Sequence, residues 1–285
     1  VPFRVLDRSG KMRGAPRDAM VADASTEANR GSNFGLLRAM DNLGAVCGIV
    51  TSIMLFPLLG YRTLFLLAAA PSLISASLVL ALIKERKTER IYRGFSLRDL
   101  DANFRLFLLL SSVFAVGNFS YSFLLKYASR LWLKEPEQVL LGQVLYLLFT
   151  VVASLMSLPF GRAADRLGRK PILALAYGLF ALMCLGFSYA NSMSIALVLF
   201  VLYGLHRAAI EPVQKTLVSE LSPARYRAST LGAFQMITGL ASLPASVIAG
   251  LLWKSIAPGA PFTLSLLLTA SSLALLTLVR EKNRA

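Results

Sequence analysis

Gly161-Arg162-Ala163-Ala164-Asp165-Arg166-Leu167-Gly168-Arg169-Lys170 is a charged decapeptide set between two apolar runs, Leu140 to Phe160 and Pro171 to Ala190. Each run approaches the roughly 20 helical residues needed to cross a bilayer core. A turn this short and basic between two spans belongs at a membrane surface, and its positive charge assigns it to the cytoplasmic one. The glycines let the chain reverse tightly. An acid beside several bases can form salt bridges to neighbouring helix ends.

The rest of the chain reads the same way. Of 285 residues 56% are hydrophobic and 16% charged, with a mean hydropathy of +0.62, whereas a soluble domain carries about 25% charged residues. The net charge of +15 and pI near 10.3 would suit nucleic acid, but the bases are concentrated in turns between apolar spans, so no nucleic-acid partner is expected. Membrane lipid is the expected surrounding. Cys47 and Cys184 lie inside apolar stretches, without ligand-like or disulfide-like spacing, and read as packing residues.

Apolar segments recur at about 34–57, 63–83, 104–127, 138–160, 171–190, 194–221, 229–253 and 262–279. Their lengths fit tilted spanning helices, and lipid offers no partner to an unpaired backbone group. The fold class expected is therefore an all-α polytopic membrane protein. Seventeen Lys and Arg residues fall on one side of these spans, in the decapeptide, residues 84–105, the tail and the turns near Arg30 and Arg227. Five fall on the other: Arg62, Lys126, Arg130, Lys134 and Lys254. That asymmetry predicts a cytoplasmic C-terminus, with Trp132 and Trp253 anchoring the opposite face. The longest polar break, Lys84 to Arg105, carries an amphipathic piece at Phe95 to Leu100. It divides the chain into 1–83, the remainder of an N-terminal helix bundle, a cytoplasmic linker at 84–103, and a C-terminal six-helix bundle at 104–285.

Residues 20–43 repeat in 217–240 at an offset of 197. Val21 matches Val218, Ser25 Ser222, Arg30 Arg227, Ser32 Ser229, Gly35 Gly232 and Leu43 Leu240, while Asp23 faces Glu220. An offset of about six spans is what two parallel six-helix halves require. The repeat makes residues 1–23 the end of another helix despite their charge; a solvated loop is the alternative reading.

The decapeptide resembles the signature loop of the major facilitator superfamily, Gly-x-x-x-Asp-Arg-x-Gly-Arg-Arg/Lys, at every fixed position. Arg4, Gly10 and Pro16 resemble that family's fourth helix, with Arg8 and Met12 in place of two glycines. The resemblance implies a two-bundle fold with an incomplete N-terminal bundle, helices four to twelve of twelve. It implies a secondary active transporter of a small-molecule substrate, multi-pass in a plasma or inner membrane, working by alternating access with a proton as coupling ion. A non-transporting scaffold or sensor that kept the fold is the alternative. Gly44-x-x-x-Gly48-Ile49 lacks the proline that follows this glycine pair in the family's antiporters. No Gly-x-x-x-x-Gly-Lys-Ser/Thr loop is present. The lone His206 and two separated cysteines supply no metal or nucleophile cluster, so neither an enzyme nor a cofactor is expected.

Charges within spans are expensive in lipid and mark the pathway. On that ground Arg4, Asp7, Arg8 and Lys11 are expected to face the gap between bundles, opposite Arg207 and Glu211. Arg4 corresponds by resemblance to the family's proton-coupling arginine, and Asp7 is the favoured proton carrier, with Asp41 and Glu211 next. Arg13, Arg17 and Asp18 lie nearer the cytoplasmic end, where snorkelling to water is cheap. Arg38 and Asp41 suit a cavity or a structural pair, and His206 a proton relay or a packing role. The base-rich first segment points to an anionic substrate. Gly161, Asp165, Arg166, Gly168, Arg169 and Lys170 form the expected cytoplasmic gate. By symmetry Asp165 should meet the helix start near Asn33, with Arg30 or Arg38 adding a charge-assisted bond.

Overall fold

The computed structural model describes residues 14–82, 100–132, 137–190, 192–223 and 226–281. Ten helices appear among the described residues, and no strand: α1 (Gly14–Asp23), α2 (Arg30–Gly60), α3 (Arg62–Leu82), α4 (Ala102–Gly117), α5 (Tyr121–Trp132), α6 (Glu137–Leu167), α7 (Arg169–Tyr189), α8 (Met193–Leu221), α9 (Arg227–Ser255) and α10 (Ala260–Leu278). Eight stretches are long and apolar enough to cross a membrane, matching the eight read from the sequence. The chain is an integral, multi-pass membrane protein.

Local chemistry sets the breaks. Helices α2 and α3 meet at Gly60, whose φ of 67° lies in the left-handed region that a residue without Cβ enters cheaply. The 104–127 run, expected as one helix, is two. Gly117 and Asn118 are poor helix formers; the Asn118 N–H caps α4 through Phe114 O at 2.8 Å, and Ser120 Oγ accepts from Ser122 N at 3.3 Å to restart the chain as α5. Asp101 caps the start of α4 by accepting from Asn103 N at 3.2 Å.

Helices α4 to α10 form one bundle around an aromatic core. Phe187 stacks on Phe262 at 5.2 Å between ring centres, and Phe114 meets Phe180 edge-on at 5.2 Å. Leu155, Leu182 and Val198 turn outward to lipid. Between apolar helices in lipid, close approach and hydroxyl bonds replace water-driven burial. Ser272 Oγ accordingly donates to Leu110 O at 3.1 Å, tying α10 to α4. At its two ends the bundle is clasped by one side-chain amide. Asn103 Nδ2 donates to Arg280 O at 2.6 Å and Arg280 N returns a bond to Asn103 Oδ1 at 2.8 Å. Helices α1 and α2 belong to the other bundle and lie against α6, α8 and α9.

The α6–α8 crossing depends on Gly204, where a Cβ would come 2.7 Å from Phe149 O and 2.8 Å from Val152 Cβ. Gly204→Val should cost about 1–3 kcal/mol of overpacking and lower the Tm of the detergent-purified protein. An unchanged Tm would mean that this crossing does not govern stability.

Candidate functional site

The two bundles touch through a polar surface on the face that carries the 161–170 loop. It starts from small residues. Gly31 and Gly35 of α2 cross Ser157 and Gly161 of α6 backbone to backbone. A Cβ on Gly31 would lie 2.6 Å from Gly161 O, and one on Gly35 2.6 Å from Ser157 O. The crossing puts the free N–H groups at the start of α2 against Asp165. Its carboxylate accepts from Gly31 N at 2.8 Å, Ser32 N at 2.6 Å and Ser32 Oγ at 2.5 Å. A helix start is the natural seat for a carboxylate, which satisfies orphan donors and meets the positive end of the dipole. The position is the one that the repeat predicts.

The accompanying arginine is a different one from those expected. Arg30 instead donates to Ser25 O at 3.5 Å, within its own turn, and Arg38 lies at a separate acidic pair. Arg169 takes the role because it begins α7 after Gly168, whose φ of 104° turns the chain back sharply. Its side chain is wholly buried and donates to Ala164 O at 2.8 Å, Glu27 O at 3.0 Å and Glu220 Oε1 at 2.7 Å, with Asp165 Oδ1 at 3.1 Å. One guanidinium thus joins the loop, the turn between α1 and α2, and the end of α8. Glu281 of the tail caps α7 by accepting from Arg169 N and from Lys170 N. Lys170 Nζ donates to Thr277 O at 3.0 Å and Val279 O at 2.7 Å, closing the end of α10. Arg166 is exposed.

Asp18, expected to snorkel toward water, is instead completely buried. It sits where α1 faces α8 and α9. Its Oδ2 pairs with Lys215 Nζ and accepts from Gln235 Nε2 at 2.7 Å. Arg38 and Arg17 stand 3.8 Å and 3.9 Å from Oδ1. Asp41 receives both Arg17 nitrogens at 3.0 Å and Arg38 Nη1 at 3.1 Å, so Arg38 and Asp41 form an ion pair within this network. Burial follows from paired charges on both bundles, which removes the need for water. The signal was present in the sequence. Asp18 and Lys215 differ by 197, the repeat offset, as do Arg38 and Gln235, so equivalent positions of the two halves meet across the contact. Asp23 also pairs with Arg227 across it.

Among the described residues, the polar contacts between the bundles lie on this side. Ser154 Oγ donates to Ala39 O at 2.9 Å, while Gly44 and Gly48, on the opposite face of α2, point into open space. On α8, Arg207 pairs with Glu211 one turn before Lys215, and both side chains are part-exposed. Tyr146, Phe149 and Tyr203 flank this position with ring centres 5.0–5.1 Å apart. His206 points the other way. It is buried among Phe114, Phe180 and Tyr203, with Nδ1 at 2.8 Å from Ala176 O, apart from the Arg207–Glu211 pair. Arg4, Asp7, Arg8 and Lys11 lie outside the described residues.

Arg169→Met should cost about 3–5 kcal/mol, because it takes the guanidinium from Glu220 and the counter-charge from Asp165 at a buried junction. A thermal-shift measurement showing less than about 1 kcal/mol, the range of a surface pair, would place Arg169 outside the structural core of the contact.

The Major Facilitator Superfamily pattern matches residues 11–135 and again 107–285. An uncharacterized MFS-type transporter of Methanocaldococcus jannaschii is 36% identical over 262 residues, which cover 89% of this chain and 65% of that protein. The chain therefore spans about two thirds of the length of that relative. The crystal structure of the human organic anion transporter MFSD10 superposes with a TM-score of 0.75 at 15% identity, over 92% of this chain and 67% of that one. Motif, repeat and architecture agree with these matches, and the chain belongs to the Major Facilitator Superfamily.

Proposed function

We propose that the protein is a secondary active transporter of a small solute that works by alternating access, with a proton as coupling ion, and that the loop-bearing face is cytoplasmic. The arrangement described above is then the state closed to the cytoplasm. The observation that carries this reading is the one-sided polar contact between bundles. Among the described residues, the hydrogen bonds and ion pairs that join the bundles gather on the loop side, from Asp165 and Arg169 inward to Ser154. Polar contacts of this kind can be exchanged for water, as a two-state gate requires, whereas an apolar interface would resist separation. Gly161, Asp165, Arg166, Gly168, Arg169 and Lys170 act as the gate. Arg4, Asp7, Arg8, Lys11, Asp41, His206, Arg207 and Glu211 remain the pathway candidates, with His206 supported as a packing residue and Asp41 as a gate residue. The part-exposed guanidinium of Arg207 among tyrosine rings favours an organic anion, the substrate type named for the human structural relative.

The test uses the full-length protein in proteoliposomes with an imposed pH gradient. Uptake of a carboxylate from a panel of organic anions is expected to follow the gradient and to fall at least tenfold in Asp165→Ala, which cannot hold the closed state. Absence of uptake across anionic, zwitterionic and cationic panels would favour a scaffold or sensor.

Orientation is tested separately. A cysteine at exposed Lys254 should react with a membrane-impermeant maleimide from outside intact cells, and one at exposed Arg166 only after permeabilisation. The reverse pattern would invert the topology.

A further inference from the structure

Arg207, Glu211 and Lys215 follow one another at i,i+4 spacing along α8, so they form a single stripe of alternating charge. The stripe runs from the part-exposed stretch of α8 at Arg207 to the buried contact. Side-chain exposure falls from 34% at Arg207 through 25% at Glu211 to 14% at Lys215, and reaches 0% at Asp18 beyond it. Glu211 sits between two bases, and among the described residues its ion pair is with Arg207; Lys215 is held by Asp18 of the other bundle.

The charges on the two sides of this contact balance differently. Among the described residues, α1 and α2 contribute Arg17 and Arg38 against Asp18 and Asp41, a neutral set. The α8 stripe carries two bases and one acid, an excess of one positive charge. While the bundles touch, Asp18 balances that excess across the gap. Separation removes Asp18 and leaves the stripe one negative charge short, whereas Asp18 keeps Arg17 and Arg38 within 4 Å on its own side.

We propose that Arg207, Glu211 and Lys215 form a relay through which a monoanion bound at Arg207 opens the loop-side contact. The anion takes over the Arg207 guanidinium, fork to carboxylate. Glu211, released, turns one helical turn along the stripe to Lys215. Lys215 then gives up Asp18, which falls back on Arg38 and Arg17, and the two bundles part with the charges of this network paired. Tyr146 and Tyr203 beside Arg207 add ring faces that suit an anion with a planar or apolar body. This inference rests on the alternating-access reading and names the trigger within it.

The test needs no knowledge of the physiological substrate. Spin labels are placed at exposed Met20 and Leu167, on opposite bundles at the loop face, in the full-length protein with Cys47 and Cys184 replaced. Their distance is read by double electron–electron resonance. Arg207→Ala frees Glu211 permanently, so it should add a long-distance population absent from the parent protein. Arg207→Ala with Glu211→Gln should return to the short distance, because the released carboxylate is what draws Lys215 away. Arg207→Gln serves in the same comparison if the alanine variant does not fold. Benzoate added to the parent should produce the long-distance population and leave Arg207→Ala unchanged.

Persistence of the short distance in Arg207→Ala, or equal opening in the single and double variants, would overturn the relay. A response to benzylamine in place of benzoate would overturn the anionic ligand. Asp165→Ala separates this failure from that of the parent reading. If Asp165→Ala opens while the relay variants do not, alternation stands without the relay; if no variant opens, both fall.

Discussion

The seating of the Asp165 carboxylate on the start of α2 is the interaction on which the arrangement of the bundles depends. It requires several things at once: glycines at 31, 35 and 161 so that backbones can touch, a helix that begins where the carboxylate points, and Arg169 to hold the loop in place. Hydrogen bonds to a charged group contribute about 1.5–3 kcal/mol each. Two or three of them lie in the range that matters for switching, since carrying a two-state equilibrium from one side to the other takes about 5.5 kcal/mol. In the alternating-access reading proposed above, a contact of this size would hold one state firmly and still yield to a ligand.

The rest of the contact is built from the same two-fold logic but with unlike residues. Equivalent positions of a duplicated pair of helices meet across the boundary, and identical charges there would repel. Asp18 opposite Lys215, with Arg38 and Gln235 beside them, shows how the halves have diverged into attraction while keeping their geometry. Arg227 reaching Asp23, at non-equivalent positions, adds a further ion pair across the contact.

Most of the architecture could be read from the chain because bilayer physics leaves few choices. Apolar length gives the spans, and the invariant spacing of the repeat places the start of α2 against the loop around Asp165. What could not be read is local or depends on a partner. The break between α4 and α5 turns on Gly117 and Asn118, a weak signal inside an apolar run. Asp18 was placed toward water because one helix viewed alone offers it no partner; burial became affordable only with Lys215 and Gln235 from 197 and 217 residues away. His206 was left open between relay and packing, since one residue at a helix position does not reveal which neighbours surround its ring. Arg169 rather than Arg30 binds Asp165 because the loop folds back on itself, a geometry that spacing alone does not encode.

The amide clasp between Asn103 and Arg280 has a topological consequence. It holds α4 and α10, the first and last helices of the bundle, together at the same face, so the bundle is in effect a ring with a small seam. Little chain entropy separates an open seam from a covalent one when its ends already touch. Such a unit can be joined to its counterpart through either end without altering its interior. Its order along the polypeptide is thus only loosely tied to its shape, the condition under which duplicated halves can be fused, cut and rejoined as circular permutants.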